Sequence, residues 1–299
     1  MAAEPYSDIW FLLQRPDKYA YHYTRAATLP KILRNARLRF SSFSRLNDPR
    51  ESKDWVLGFH SFGADLELAS RTALHQELNR HLKHAWRVGC FASDVYEACS
   101  TREREEKGED IVAALYDRGY ARPRMWAQYA QEYRGACLVF DRAKLDQAVR
   151  EAARARGRQV FHAAVSYRNP NPLVSLGRTH HLLLSLEDLI NNGVRRSCEE
   201  HVAQHWRQLF MLKARDWEHE RELRWIVSAD DESDFFVDIA DCCVGVILGD
   251  RAPMSARRVV SSFARIHNKS LAVMAWTNGF PQPVPEHWRL LQDREHAIG

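Results

Sequence analysis

The spacing of apolar residues divides the chain into short strands and helices. Runs of aromatic and β-branched residues favour strands, and apolar residues three or four positions apart favour helices. The predicted strands are residues 19–24, 38–42, 88–93, 136–140, 160–167, 217–227, 235–239, 244–248 and 271–276. The predicted helices are residues 1–20 with their lead-in, 29–35, much of 50–87, 124–133, 143–158, 179–216 with a break at 191–193, and 253–267.

Turn and loop signals separate these elements without a linker. Asn47-Asp48-Pro49 predicts a turn, and the charge run at 102–110 predicts a solvated loop. The chain after Asn278 is rich in proline and then briefly helical in pattern. With no repeat and no low-complexity stretch, the pattern predicts one α+β domain over residues 1–299, with a short N-terminal helix and a proline-containing C-terminal tail.

The stretch Trp217–Val227 combines charged and apolar residues in alternation. Because alternate side chains share a face of a strand, a strand here places three charged residues, Glu220, Glu222 and Arg224, on one face. The opposite, core-facing set is then Leu223, Trp225 and Val227. The alternative is a helix end, where Glu220 and Arg224 form an exposed i,i+4 pair worth only ~0.3–0.5 kcal/mol.

The corner at Asn47–Glu51 has the residue types of a helix start. Asp48 is a good cap, Pro49 suits the first helical position, and Glu51 stands three positions beyond the cap. We therefore predict that Asp48 caps a helix that begins near Pro49. A helix start also attracts phosphate, so a cofactor pyrophosphate at this corner is the alternative.

Composition adds few constraints on function. Hydrophobic residues make up 45% and charged residues 27% of the chain, and the net charge of +4 is weak evidence for a nucleic-acid partner. Six cysteines, without a C-x-x-C pair, indicate free thiols in a reducing cytoplasm rather than zinc or disulfide sites. His81 and His84 lack an acidic partner at ligand spacing, so no metal site is predicted. We expect neither a signal peptide nor a membrane span.

Several motifs, in this order along the chain, resemble a bacterial family known as domain of unknown function 2971. The resemblance covers roughly residues 20–275, and its family name implies no activity. Its motifs are YHYT at 21–24, LRFSSFSRLNDPRE at 38–51, CFAS at 90–93, MWAQYAQEYRGACLVFD at 125–141, KARDWEHERELR at 213–224 and VILGD at 246–250.

The arrangement also resembles the ADP-ribosyltransferases. His22-Tyr23-Thr24 on a first strand is followed by a helix at 29–33 and a second strand at 38–42, and Glu220-Arg221-Glu222 enters a later strand. This resemblance implies a split β-sandwich, here with helical insertions, and an NAD cleft between two small sheets. We therefore expect His22 and Glu222 on neighbouring strands that open into one cleft.

The resemblance also implies roles for individual residues. Glu222 stabilises the oxocarbenium charge on the sugar and holds a ribose hydroxyl, Glu220 orients or deprotonates the acceptor, and His22 fixes the other ribose. The residue beside the nicotinamide is left open among Ser41, Ser42, Ser93 and Tyr129. The implied cofactor-binding set is His22, Tyr23, Thr24, Ser42, Asn47, Trp126, Tyr129 and Arg224.

Such a protein consumes NAD as a substrate and modifies protein, RNA or DNA, as a bacterial toxin or phage-defence effector with a regulatory partner or antitoxin. Two other classes stay open: a metal-dependent nuclease or hydrolase, and a non-catalytic binding module with arginine-rich helices. The metal-dependent enzyme would use Asp48, Glu51, Glu220 and Glu222. His22, Trp126 and Tyr129 also suit a core, and Glu222 with Arg224 also suits a buried ion pair.

Overall fold

A computed structural model describes residues 18–60, 68–94, 116–169, 179–229 and 233–285. The strands in these ranges are β1 (Tyr19–Thr24), β2 (Arg37–Ser42), β3 (Gly58–His60), β4 (Trp86–Ser93), β5 (Ala136–Asp141), β6 (Val160–Ala164), β7 (Ser166–Tyr167), β8 (Leu183–Ser185), β9 (Leu212–Lys213), β10 (Glu222–Ser228), β11 (Phe235–Asp238), β12 (Cys243–Leu248), β13 (Ser270–Thr277) and β14 (Phe280–Pro285). The α-helices are α1 (Leu29–Leu33), α2 (Pro49–Ser52), α3 (Leu68–Asn79), α4 (Pro123–Gln128), α5 (Arg142–Arg154), α6 (Leu186–Asn192), α7 (Val194–Phe210) and α8 (Met254–His267).

Most of these strands belong to one large sheet. Its main path runs β11-β2-β4-β1-β5-β12-β13-β14, and β10 joins it through β4 and carries β6 on its other side. The pairs within it are antiparallel, except that β12 and β13 run parallel. Two short pairs, β3 with β8 and β7 with β9, lie outside it. The predicted α+β class is therefore confirmed.

The sheet divides at β4. Along one edge, β4 pairs with the whole of β10, from Trp86↔Ser228 to Ala92↔Glu222. Along its other edge, β2 pairs with Arg87 and Val88 only, whereas β1 pairs with Ala92 and Ser93 only. Residues 89–91 have no register partner in either strand, so β1 and β2 diverge there and the sheet opens.

Apolar residues cover both faces of the sheet. One core contains residues of α1, α5 and α8 together with the predicted set Leu223, Trp225 and Val227. A second core packs Met125 and Trp126 of α4 against β1 and β5. A third includes residues of α6 and α7 against Trp86, Val88 and Ile226. Of the described helices, none is long and apolar enough to cross a membrane.

Several predicted elements differ from the structure. The predicted strand at 160–167 divides into β6 and β7, and these pair with different partners, β10 and β9. The region predicted as helical at 50–87 contains β3, and the one at 179–216 contains β8 and β9. These short strands pair across long sequence separations that a local pattern does not record. The predicted break before α7 is confirmed, at Gly193 with φ of 78°.

The ends of the chain and the charge run complete the comparison. The proline-rich stretch after Asn278 forms β14, a strand with one neighbour, β13; proline is tolerated on such an edge because it has no N–H to donate. The helix predicted at 1–20 lies mostly outside the described residues, as does the loop predicted at 102–110. The five described cysteines are free, as predicted.

Candidate functional site

A pocket of about 260 Å³ lies where the sheet opens beside β4. Residues of β1, β4 and β10 form its walls, together with the end of α4 and the loop before α2. Its lining residues are Tyr21, His22, Tyr23, Arg45, Leu46, Asn47, Cys90, Phe91, Ala92, Met125, Tyr129, Lys213, Glu220 and Glu222.

Five buried side chains form what we call the charged cluster: Glu51, Lys213, Glu220, Glu222 and Arg224. Lys213 is its centre, because its Nζ lies 2.7 Å from Glu220 Oε2, 2.9 Å from Glu222 Oε2 and 3.9 Å from Glu51 Oε2. Three carboxylates therefore face two cations in a part of the protein with little access to water. Such an arrangement is stable only if every charge has a close partner.

Arg224 lies behind the pocket and is fully buried, at 0% exposure. Its Nε and Nη2 donate to the two oxygens of Glu222 at 2.8 and 2.9 Å, and its Nη1 donates to the Phe210 carbonyl at 2.6 Å. It also forms an ion pair with Glu51. The buried ion pair that the sequence offered as an alternative is therefore present, and it supports the wall of the pocket.

The cluster shifts the pKa of its members in different directions. Burial alone raises the pKa of Glu222, but Arg224 and Lys213 outweigh burial and bring it down to about 2. Burial lowers the pKa of Lys213, but Glu222 and Glu51 more than reverse this, and the net shift is upward. For Glu51, burial outweighs Arg224 and Lys213, so its pKa is raised. Glu222 is thus ionised, and Lys213 protonated, at neutral pH.

The two glutamates of the motif differ in how many of their lone pairs are occupied. Arg224 donates two hydrogen bonds to the Glu222 carboxylate, the Lys213 ammonium occupies a third acceptor position, and the Cys90 thiol also donates to this carboxylate. Glu220 accepts from Lys213 at 2.7 Å and from Tyr129 Oη at 2.5 Å. Since an ionised carboxylate offers about four acceptor positions, Glu222 is saturated and Glu220 retains capacity for a ligand.

Glu220 does not share a strand with Glu222, contrary to the strand predicted for residues 217–227. A 3-10 turn, Arg215–Glu220, ends at Glu220, and Arg221 adopts a left-handed conformation with φ of 45° before β10 begins. A non-glycine residue there is uncommon, and arginine gives no local signal of it. Glu222 and Arg224 do share a face, because Leu223, Trp225 and Val227 point into the first core.

Contacts from distant segments fix Glu220 and Tyr129. Arg122 donates from Nη1 to the Glu220 carbonyl at 2.7 Å. Tyr129 follows the last residue of α4, and the Asn47 side chain hydrogen-bonds to its hydroxyl. Burial is the main cause that raises the pKa of Tyr129, and Glu220 adds to it. Tyr129 therefore stays protonated and donates to Glu220.

His22 lines the pocket with a defined tautomer. Its Nδ1 lies 3.0 Å from the Cys90 carbonyl, which only accepts, so Nδ1 carries the proton. Burial lowers the pKa of His22, with a smaller opposing effect of this hydrogen bond. The imidazole is consequently neutral at pH 7, and Nε2 is an acceptor. His22 and Glu222 are not on neighbouring strands as predicted, because β4 lies between β1 and β10.

The structure separates the predicted site residues into two groups. Lining the pocket are His22, Tyr23, Asn47, Tyr129, Glu220 and Glu222. The others do not line it: Thr24 and Arg224 are buried, Ser42 hydrogen-bonds to Ser44 at 2.8 Å, and the indole of Trp126 is buried and donates to the Tyr120 carbonyl at 2.7 Å. Trp126 packs edge-on against Tyr23 instead, with ring centroids 5.3 Å apart.

Sequence reasoning did not identify Lys213 and did not join Glu51 to Arg224. Lys213 opens the quoted family motif at 213–224, and a lysine among these acidic motif residues was the available signal. Asp48 caps α2 as predicted, accepting from the Arg50 amide at 2.9 Å. The side chain of Glu51 contacts Arg224 and Lys213, so it does not complete a capping box.

The geometry argues against the metal-dependent alternative. A metal ion shared by Glu51, Glu220 and Glu222 would need the position that the Lys213 ammonium already occupies. Asp48 is directed to the helix cap. Within the described ranges, no group of three or more histidine, cysteine or acidic side chains has metal-binding geometry.

Fold and site together define an α+β protein with a carboxylate-rich pocket at an opening in its sheet. Residues 125–225 match the model of a family described as Protein of unknown function (DUF2971), which supports the family resemblance that the motifs predicted. The matched segment contains Tyr129, Lys213, Glu220 and Glu222. No significant match was found among curated proteins or solved structures.

Proposed function

We propose that the protein is an NAD-consuming ADP-ribosyltransferase that modifies a macromolecule. One observation carries the proposal: His22, Tyr129 and the Glu220–Glu222 pair, which come from three separate segments of the chain, converge on one pocket where the sheet divides. A division between β1 and β2 also supports the finer fold type, a split sheet with its ligand cleft at the opening.

The pocket has the chemistry that the nicotinamide–ribose half of NAD requires. Its carboxylates suit the positive charge of the oxidised nicotinamide ring, and its aromatic walls, among them Tyr23, Phe91 and Tyr129, suit a planar ring. A volume of about 260 Å³ lies just under the ~300–1,000 Å³ of whole small-molecule sites. It therefore accommodates one half of a dinucleotide, and the other half extends outward.

The reaction breaks the bond between ribose C1′ and the nicotinamide nitrogen. The bonding electrons leave with nicotinamide, a positive charge develops on the sugar, and an acceptor nucleophile then bonds to C1′ and releases a proton. The acceptor capacity of the two glutamates favours Glu220 as the carboxylate that stabilises this charge. Glu222 holds Lys213 and Arg224 in place, and His22 Nε2 accepts from a ribose hydroxyl.

The first experiment compares Glu220→Gln with Glu218→Gln by nicotinamide release from NAD. Glutamine keeps the shape of Glu220 but not its charge, so we expect the rate to fall ~10²–10³-fold. The melting temperature should change little, because Lys213 retains Glu222 and Glu51. Glu218, exposed in the same 3-10 turn, is the matched control and should retain wild-type activity.

Glu222→Gln, measured in the same assay, tests whether Glu222 mainly holds Lys213 and Arg224 in place or takes part in the reaction itself. It removes charge from a carboxylate that Arg224 and Lys213 share, so we expect a loss of ~1–3 kcal/mol of stability as well as activity. Labelled NAD with a cell lysate then shows whether the label reaches protein, RNA or DNA. If the wild type releases no nicotinamide and NAD leaves its melting temperature unchanged, the proposal is wrong.

A further inference from the structure

We propose that Arg45, at the rim of the pocket, is the phosphate-binding residue of this site and makes it selective for a pyrophosphate-linked ligand. The inference rests on the proposed function and deepens it, because it concerns the part of NAD that lies outside the pocket. Arg45 ends the 3-10 turn Phe43–Arg45, which follows β2 directly.

The charges in the pocket determine where phosphates can lie. Inside, two carboxylates, Glu220 and Glu222, share one buried cation, Lys213, and His22 is neutral at pH 7. A pyrophosphate with two negative charges would be repelled there. Among the lining residues in the described part of the chain, Arg45 has a positive charge at the water-exposed rim, with its side chain 57% exposed.

The backbone that carries Arg45 is held firmly. Asn47 hydrogen-bonds to Tyr129, and Asp48 caps α2 two residues before Arg50. The guanidinium of Arg50 donates to the carbonyls of Leu212 and Gln208 at 2.7 and 2.8 Å. These contacts fix the loop that follows Arg45, and the long, exposed side chain of Arg45 has room to adjust to a ligand.

The present partner of Arg45 is easily exchanged. Its Nη1 lies 3.6 Å from Asp234, which also pairs with Arg39 at 3.3 Å. When Arg45 turns toward a phosphate, Asp234 keeps Arg39, so no carboxylate is left unpaired. Exposed pairs of this kind contribute little to stability, whereas arginine binds phosphate oxygens in a bidentate manner.

The test measures binding of two probes, NAD and nicotinamide riboside, which lacks phosphates. Arg45→Gln should weaken NAD binding on the order of tenfold, the effect of one charge-assisted hydrogen bond, and leave riboside binding unchanged. Arg45→Lys should recover part of the loss. Arg39→Gln is the matched control, since it removes an arginine from the same aspartate but does not line the pocket, and should change NAD binding no more than about twofold.

The outcomes separate the two proposals. If the wild type binds neither probe, the proposed function fails and the phosphate site with it. If the wild type binds NAD and Arg45→Gln binds it equally well, only the phosphate assignment is overturned. The same holds if Arg45→Gln weakens both probes alike, or if Arg39→Gln weakens NAD as much as Arg45→Gln.

Discussion

Two buried lysines, Lys83 and Lys213, have opposite pKa shifts. They are 1% and 6% exposed, respectively. Lys213 is surrounded by carboxylates, and its pKa is raised despite burial. The ammonium of Lys83 lies over the ring of Trp55, 5.1 Å from the centroid, and has no hydrogen-bond partner among the described residues. Burial lowers its pKa to about 8, against smaller effects of Asp54 and Glu51.

The difference shows that burial alone does not identify a functional charge. At Lys213 the surrounding carboxylates stabilise the charged ammonium, so removing the lysine leaves unpaired negative charge in the protein. At Lys83 the surroundings favour the neutral form, so the charge is a cost of folding. The two sites therefore respond to substitution and to pH with opposite signs.

The largest effect is expected for Lys213→Met. It leaves Glu220 and Glu222 without their shared cation, and breaking a buried pair in this way costs ~3–5 kcal/mol. Denaturant unfolding of the variant measures the loss, with the exposed Lys144→Met as control. A loss below ~1 kcal/mol, typical of surface pairs, would show that Lys213 does not hold the cluster together.

The next effect concerns the pH dependence of stability. The pKa of Lys83 is about 8 in the folded protein and 10.5 ordinarily, so between these values the unfolded chain binds more protons and stability rises with pH. The gain reaches up to ~3 kcal/mol across that window. Lys83→Met should remove this rise and stabilise the protein at pH 7, where the full penalty applies.

Denaturant unfolding at a series of pH values from ~7 to above ~10 measures the predicted rise in stability. The control is Lys53→Met, an exposed lysine close in sequence. A wild-type stability curve that is identical to that of Lys83→Met would contradict the prediction. Lys213 acts in the opposite direction, because its raised pKa gives stability that is complete below its ordinary pKa and is lost only as pH rises through the folded value.

The smallest effect is expected for Asp48→Ala. Loss of the cap at α2 should cost ~1 kcal/mol, and the exposed Asp241→Ala serves as the non-capping control. Because Asp48 stands beside Asn47 and Glu51, nicotinamide release is measured on the same samples. Unchanged stability together with lost activity would assign Asp48 to the site instead of the cap.

The sequence predicted individual strands and helices better than it predicted which side chains meet at the pocket. The aromatic and β-branched run at residues 19–24 gives β1 with the predicted bounds, and alternation gives the core face of β10. Glu220 was misplaced because the left-handed Arg221 ends the alternation, and arginine has no preference for that conformation. Glu51 and Lys213 could not be joined, since their contact depends on how α2 and β9 pack.

Pairing between distant segments explains the other differences. Only three residues form β3, and its partner β8 lies more than a hundred positions later in the chain. A segment of this length carries too little periodicity to distinguish strand from helix. The same explanation applies to the proline-rich β14. Its composition does not favour a strand, and it forms one because it pairs with β13.

The strand order also affects how the protein folds while it is being synthesised on the ribosome. β1 pairs with β5 from Tyr19↔Asp141 to Thr24↔Ala136, and with the end of β4. At ~5–20 residues per second, the aromatic segment YAYHYT waits several seconds for its main partner. Native contacts this far apart slow folding, and an unpaired apolar strand is prone to associate with other chains. Synthesis of this protein should therefore depend on whatever shields its first strand during that interval.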